Sequence, residues 1–155
     1  MVTSAGILVA LVYYASVLRH QTTLRQTDLI MRLNSDWINW EIEKDVDTLY
    51  VHVRKYKNWD EWKKTHGSRP GERWNTPEVL AVSRVTRFFD IVGILLRRKL
   101  IDIGMVDEMF GYDVKLVWEA FAPVFLPGLR EEPGMFGPTF RGGFEYLYNE
   151  MKKRE

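Results

Sequence analysis

Side chains able to act as nucleophiles or to bind metal are scarce in this chain, which has no cysteine and three histidines, His20, His52 and His66. Thiolate catalysis, disulfides, zinc fingers and iron–sulfur ligation are therefore excluded. The histidines fall too far apart and too irregularly for a compact ligand pair such as two His at i and i+4, so no metal and no cofactor is expected. Four acids, Glu41, Glu43, Asp45 and Asp47, could surround a cation. No glycine turn or ligand loop accompanies them, and acids at the start of a helix that ends in Arg54, Lys55 and Lys57 match its dipole, so a solvated face is the simpler reading. Gly67 to Gly71 lacks the Gly-Lys-Ser/Thr ending of a phosphate loop. Gly142-Gly143 could present a helix N-terminus to an anion or simply form a turn. Asp102 and Glu108 are better used as a cap and surface charge than as an acid–base pair. Arg97-Arg98-Lys99 could touch a phosphate or lipid headgroup, but the acidic stretch from Asp102 to Glu119 offers a nearer partner. No nucleophile with a base, metal cluster or phosphate cradle emerges, and the chain is read as non-catalytic.

The elements that must carry these residues follow from composition and periodicity. At 155 residues, 46% hydrophobic and 28% charged, the chain is ordinary globular material. Its 22 Lys+Arg against 21 Asp+Glu leave no basic excess for nucleic acid. The charges are unevenly placed: Met1 to Leu18 has none. Ile7, Leu8, Val9, Leu11, Val12, Tyr13, Tyr14, Val17 and Leu18 make this run apolar on every face of a helix, which suits lipid or the centre of a large core. Eighteen residues rise roughly 27 Å, just short of a ~30 Å hydrocarbon layer, so a span would recruit Arg19 to Thr23. A cleaved signal peptide would want a basic n-region, which Met1 to Gly6 lacks, and a buried core helix is the third reading. The span is preferred. Domain boundaries are then 1–23 for a transmembrane helix and 24–155 for a helical domain, which Arg19, Arg25 and Arg32 place on the cytoplasmic side. Gln21 to Asn34, without Gly or Pro, continues the helix as a stalk.

The remainder predicts an all-α fold, a bundle of about four to five helices. Ile42, Val46, Leu49, Val53 and Tyr56 form one stripe, and Ala81, Val85, Phe88, Val92 and Leu95 form another that faces it. Asn58 to Lys64 reads as a short helix and His66 to Asn75 as a loop. Thr76-Pro77-Glu78 opens the clearest helix. Asp102 caps a short helix through Met109, ended by Gly111, and Asp113 caps another through Phe125, shortened at Pro123. Trp118 is expected to be the most buried residue. Pro127 to Gly143 is a loop, before a terminal helix striped by Phe140, Phe144, Leu147 and Met151.

The tract Phe88-Phe89-Asp90-Ile91-Val92-Gly93-Ile94-Leu95-Leu96-Arg97-Arg98-Lys99-Leu100-Ile101-Asp102, followed by Phe110-Gly111, Trp118, Arg130-Glu131-Glu132 and Phe144-Glu145-Tyr146-Leu147, resembles a prokaryotic family of single-span, all-helical, membrane-anchored proteins catalogued only as a domain of unknown function. The resemblance covers Thr27 to Leu147. It implies a helical fold and a membrane tether and brings no reaction or catalytic residue. The chain departs from the family pattern in its Gly-rich, aromatic loop from Gly134 to Gly143.

Trp37, Trp40, Trp59, Trp62 and Trp74 are more indoles than one core should hold, so some are expected at an interface with a partner or at headgroup level. Arg19, Arg25, Arg97, Arg98 and Lys99 are candidate lipid or anion contacts. The expected role is an accessory or scaffold subunit whose partners are other membrane protein subunits and the lipid bilayer. The alternative is a membrane-tethered cytoplasmic regulator or sensor that binds a small molecule or lipid between its helices, marked by an apolar pocket with convergent Arg or Tyr groups.

Overall fold

The structure is a computed structural model that describes residues 2–39, 41–67, 71 and 74–154, with side chains from residue 6 onward. It is all-helical, with α1 (Val2–Asn39), α2 (Ile42–Val53), α3 (Trp59–His66), α4 (Pro77–Arg97), α5 (Ile103–Glu131) and α6 (Gly142–Lys152), and no strand among the described residues.

The two predicted stripes face each other. Ile42, Val46, Leu49 and Val53 of α2 are buried, as are Ala81, Val85, Phe88 and Val92 of α4. Asp45 locks the pair by accepting from Arg84 Nε and Nη2 at 2.6 and 2.8 Å, a two-pronged bond that fixes register as well as charge. One of the four acids thus has a structural task.

α4 and α6 cross closely because glycines meet at the crossing. A Cβ on Gly93 would lie 1.8 Å from the Gly143 carbonyl oxygen. The same crossing caps α6, since Asp90 Oδ1 accepts the Gly143 and Phe144 N–H groups at 2.9 and 3.1 Å. The helix N-terminus at Gly142-Gly143 thus receives a carboxylate of the chain itself.

α5 corrects the expectation of two short helices. Asp102 Oδ1 accepts from Gly104 and Met105 N–H at its start, as predicted. Gly111, Asp113, Pro123, Pro127 and Gly128, however, all lie inside one helix of 29 residues. Each interior proline removes a backbone bond, at a cost of about 3 kcal/mol. An unbroken buried stripe through Phe110, Val114, Val117, Phe121, Phe125 and Leu129 outweighs it, at roughly 1.5–3 kcal/mol per side chain. The loop before α6 accordingly begins at Glu132 and not at Pro127.

α1 is continuous, as the stalk requires, and docks only by its C-terminal part, where Ile30, Leu33 and Trp37 are buried. Trp37 packs on Phe88, Phe89 and Phe110 with ring centroids 5.1 to 5.5 Å away. Toward its N-terminus Ile7, Leu8, Val9, Leu11, Val12, Tyr13, Tyr14 and Leu18 are all exposed by 60% or more, with Val17 half-buried. The run is therefore not a core helix of this domain. Among the described residues no helix is long and apolar enough to cross a membrane, so a span over 1–23 is not supported. The uncharged part of α1, residues 2–18, rises about 25 Å before Arg19 and His20 follow, short of a ~30 Å hydrocarbon layer.

Candidate functional site

An apolar cavity of about 440 Å³ opens between α3, α4, α5 and the loop before α6. Its walls are aromatic, and local sequence explains how each reaches its place. Asn58 caps α3 by accepting the Glu61 N–H at 3.0 Å, while Glu61 accepts the Lys57 N–H at 2.8 Å. That cap orients Trp59 and Trp62, whose rings stack 4.9 Å apart, and Trp62 stacks in turn on His66 at 4.5 Å. Trp59 can approach α5 because Gly128 has no side chain: a Cβ there would fall 2.2 Å from the indole. The Trp59 indole N–H donates to the Glu132 carboxylate, which also accepts from Lys63 Nζ. These two donors hold the Glu132 carboxyl below the usual range, the indole bond being the larger cause.

The opposite wall is the loop before α6, which contributes Phe136, Phe140 and Arg141. Phe136 N–H donates to the Leu129 carbonyl at 3.1 Å, and Phe136 stacks on Phe140 at 4.5 Å. Arg130 donates through Nε and Nη2 to the Phe140 carbonyl and through Nη2 to Glu145. The loop is thus pinned at both ends.

Two arginines line the same space, Arg87 and Arg141. Arg141 takes a left-handed conformation, φ 57°, and lies over the Phe140 ring at 4.7 Å. Its Nη2 donates to the Ser83 carbonyl at 3.3 Å and its Nη1 is 3.9 Å from Asp90 Oδ2. Burial lowers the Arg141 pKa from its usual value, Asp90 opposes this and the Arg87 charge adds to it. Arg141 Nε, Trp62 Nε1 and Trp74 Nε1 are buried with no hydrogen-bond partner among the described residues.

Of the predicted interface residues, Trp59, Trp62 and Trp74 come together at this cavity, whereas Trp37 belongs to the core between α1, α4 and α5. Trp40 lies outside the described residues. Trp37, Trp59 and Trp62 are buried, Gly128 admitting one ring and stacking accommodating the next, while Trp74 is half-buried. Trp118 is 8% exposed and Trp62 1%, so Trp62 is the more buried. Arg19, Arg25, Arg97, Arg98 and Lys99 are exposed, and none of them lines the cavity. Among the ion pairs of the described residues none joins the 97–99 tract to the acids after it; Asp107 pairs with Arg154 instead. Sequence reasoning missed Arg87, Arg141, Phe121, Phe125, Phe136 and Phe140 as cavity residues.

The fold also brings His52 and His66 to 5.4 Å, with Tyr56 against both. Burial, then the His66 charge, lowers the His52 pKa from 6.5. Among the described residues no group of three or more His, Asp or Glu is placed to hold a metal.

Residues 1–151 match the family model described as "Domain of unknown function (DUF4760)", and the chain belongs to that family. No curated protein and no solved structure matches it.

Proposed function

We propose, for this member of a family that brings no activity with it, a tethered non-catalytic module that binds a small molecule or lipid with a largely apolar body in the cavity between α3, α4, α5 and the loop before α6. One observation carries the reading: the cavity is walled by Trp59, Trp62, Phe121, Phe125 and Phe136, yet holds two arginines and unpaired indole donors at its edge. Apolar walls with a few polar groups are the usual make-up of a ligand pocket, and about 440 Å³ falls within the range such pockets occupy. A core built for stability alone would leave neither the space nor the unpaired donors. The tether is α1. Its apolar run is exposed except at half-buried Val17, and such a run would enter the bilayer with Arg19 and Arg25 at the headgroups and the bundle on the cytoplasmic side.

The test is binding of a neutral apolar fluorophore, N-phenylnaphthylamine, to the full chain held in an amphipathic polymer. Saturable binding at one site per chain is expected, and Val82→Phe, which fills the cavity, should remove it. Equal binding by the two proteins would overturn the reading.

A second reading, an accessory or scaffold subunit, rests on the same exposed run of α1. Helices of a partner complex would cover the apolar faces from Ile7 to Leu18 that this chain leaves open. Purification through a C-terminal tag after mild detergent extraction tests it: stoichiometric membrane proteins in the eluate support it, and elution of the chain alone opposes it.

A further inference from the structure

The polar chemistry of the cavity is one-sided. Among the described residues no carboxylate lines it. Its polar side chains are Ser83, Thr86, Arg87, Arg141 and three indoles, and the Thr86 hydroxyl is already committed to the Val82 carbonyl at 2.8 Å. An indole N–H and a guanidinium can only donate. Three such donors, on Trp62, Trp74 and Arg141, have no acceptor among the described residues. Trp62 is 1% exposed and the Arg141 side chain 12%, so both are largely withdrawn from bulk solvent. Each unmet buried donor costs about 1–3 kcal/mol. Arg87 and Arg141 line the same cavity, and among the described residues the carboxylate that pairs with Arg141 is Asp90, 3.9 Å away and already accepting the two N–H groups that start α6.

We infer that the cavity takes a single-chain amphiphilic acid, its apolar chain lying against the aromatic walls and its anionic head received by Arg141 and Arg87, with the Trp62 and Trp74 indoles donating after small ring adjustments. This rests on the cavity being a ligand site and adds the charge and shape of the ligand. A neutral apolar guest would fill the space and leave the donors unmet and the two cations facing each other. An amine would add a third positive charge. A carboxylate or monoanionic phosphate head supplies acceptors to all of them, and charge-assisted bonds of this kind are about twice as strong as neutral ones.

The test compares decanoate, decanol and decylamine, each below its micellar concentration and at a pH where the acid is ionised. They are titrated into the full chain in an amphipathic polymer and followed by tryptophan fluorescence. Decanoate should bind at least about tenfold more tightly than decanol, and decylamine least well. Arg141→Gln should bring decanoate and decanol to equal affinity. Arg141 also holds the Ser83 carbonyl and occupies a left-handed position, so Arg87→Gln, at an exposed site, is the second variant and should narrow the preference without altering the fold. Equal affinity for decanoate and decanol in the unaltered protein, or a preference unchanged in both variants, overturns the anionic head while leaving a ligand cavity. Absence of binding by all three overturns both.

Discussion

Replacing Gly93 with alanine should unfold or nearly unfold the α4–α6 half of the bundle, although it adds one methyl group to a helix. The added Cβ would lie 1.8 Å from the Gly143 carbonyl oxygen and 2.4 Å from its carbon, both backbone atoms that no side-chain rotation can move. Reaching the 3.4 Å at which ordinary contact begins needs a separation of roughly 1.6 Å between the helices. That shift breaks the bonds of 2.9 and 3.1 Å by which Asp90 caps α6, at about 1 kcal/mol each. It also loosens Phe144, Leu147 and Met151, all 1% exposed or less, and a gap of this size forfeits a large part of their dispersion contacts. Overpacking of this kind typically costs 1–3 kcal/mol, so the total is ~3–5 kcal/mol. The improved helix propensity of alanine returns about 1 kcal/mol at most. Urea unfolding followed by circular dichroism reads the loss as a lower midpoint at unchanged slope. Gly142→Ala is the control, since nothing lies within 4 Å of a Cβ there, and it should cost under about 0.5 kcal/mol. A Gly93→Ala protein within 1 kcal/mol of the parent would refute the close crossing, and with it the placement of Arg87 and Arg141 on one cavity.

Lys99 adopts φ 58° at the end of α4, where the Leu100 and Lys99 N–H groups bond the Leu95 and Leu96 carbonyls, so Lys99→Gly should stabilise the protein by about 0.5–1 kcal/mol in the same urea assay. His52, held below its ordinary 6.5 by burial, by His66 and by Lys55 against Glu78, binds fewer protons folded than unfolded. Stability should therefore be full above 6.5, fall as the pH drops through that value toward the folded pKa, and level off below it, and His52→Gln should flatten the slope. Asp113 is shifted the other way, raised above 3.8 by burial and then by Glu43 and Asp47, so its charged form is disfavoured in the fold. Asp113→Asn should raise the urea midpoint at neutral pH and make no difference in acid below 3.8.

The stripes of α2 and α4 and the caps at Thr76 and Asp102 were legible in the sequence because each is a local pattern: a spacing of 4 and 3, or a side chain two or three residues from the N–H it accepts. α5 was not, since Gly111, Asp113, Pro123 and Pro127 are all local stop signals, and only the tertiary burial of Phe121, Phe125 and Leu129 overrides them. The α6 cap was equally hidden, because its acceptor, Asp90, comes from another helix. For the cavity, the sequence offered the surplus of tryptophans and the unusual loop from Gly134 to Gly143, without showing that the two meet. Arg87 reads as one charge on a basic helix and Arg141 as one residue of a turn. Their convergence is a product of the Gly93–Gly143 crossing, which no linear spacing encodes.

The central claim, that the space beside Trp59, Trp62 and Trp74 is a binding site, is tested most directly by proton–nitrogen NMR of the indole N–H groups of the full chain during a decanoate titration. The indole signals of Trp59, Trp62 and Trp74 should move together and saturate, while those of Trp37 and Trp118, packed elsewhere in the core, should stay. Shifts of equal size at all five, or none at the three cavity indoles, would contradict it.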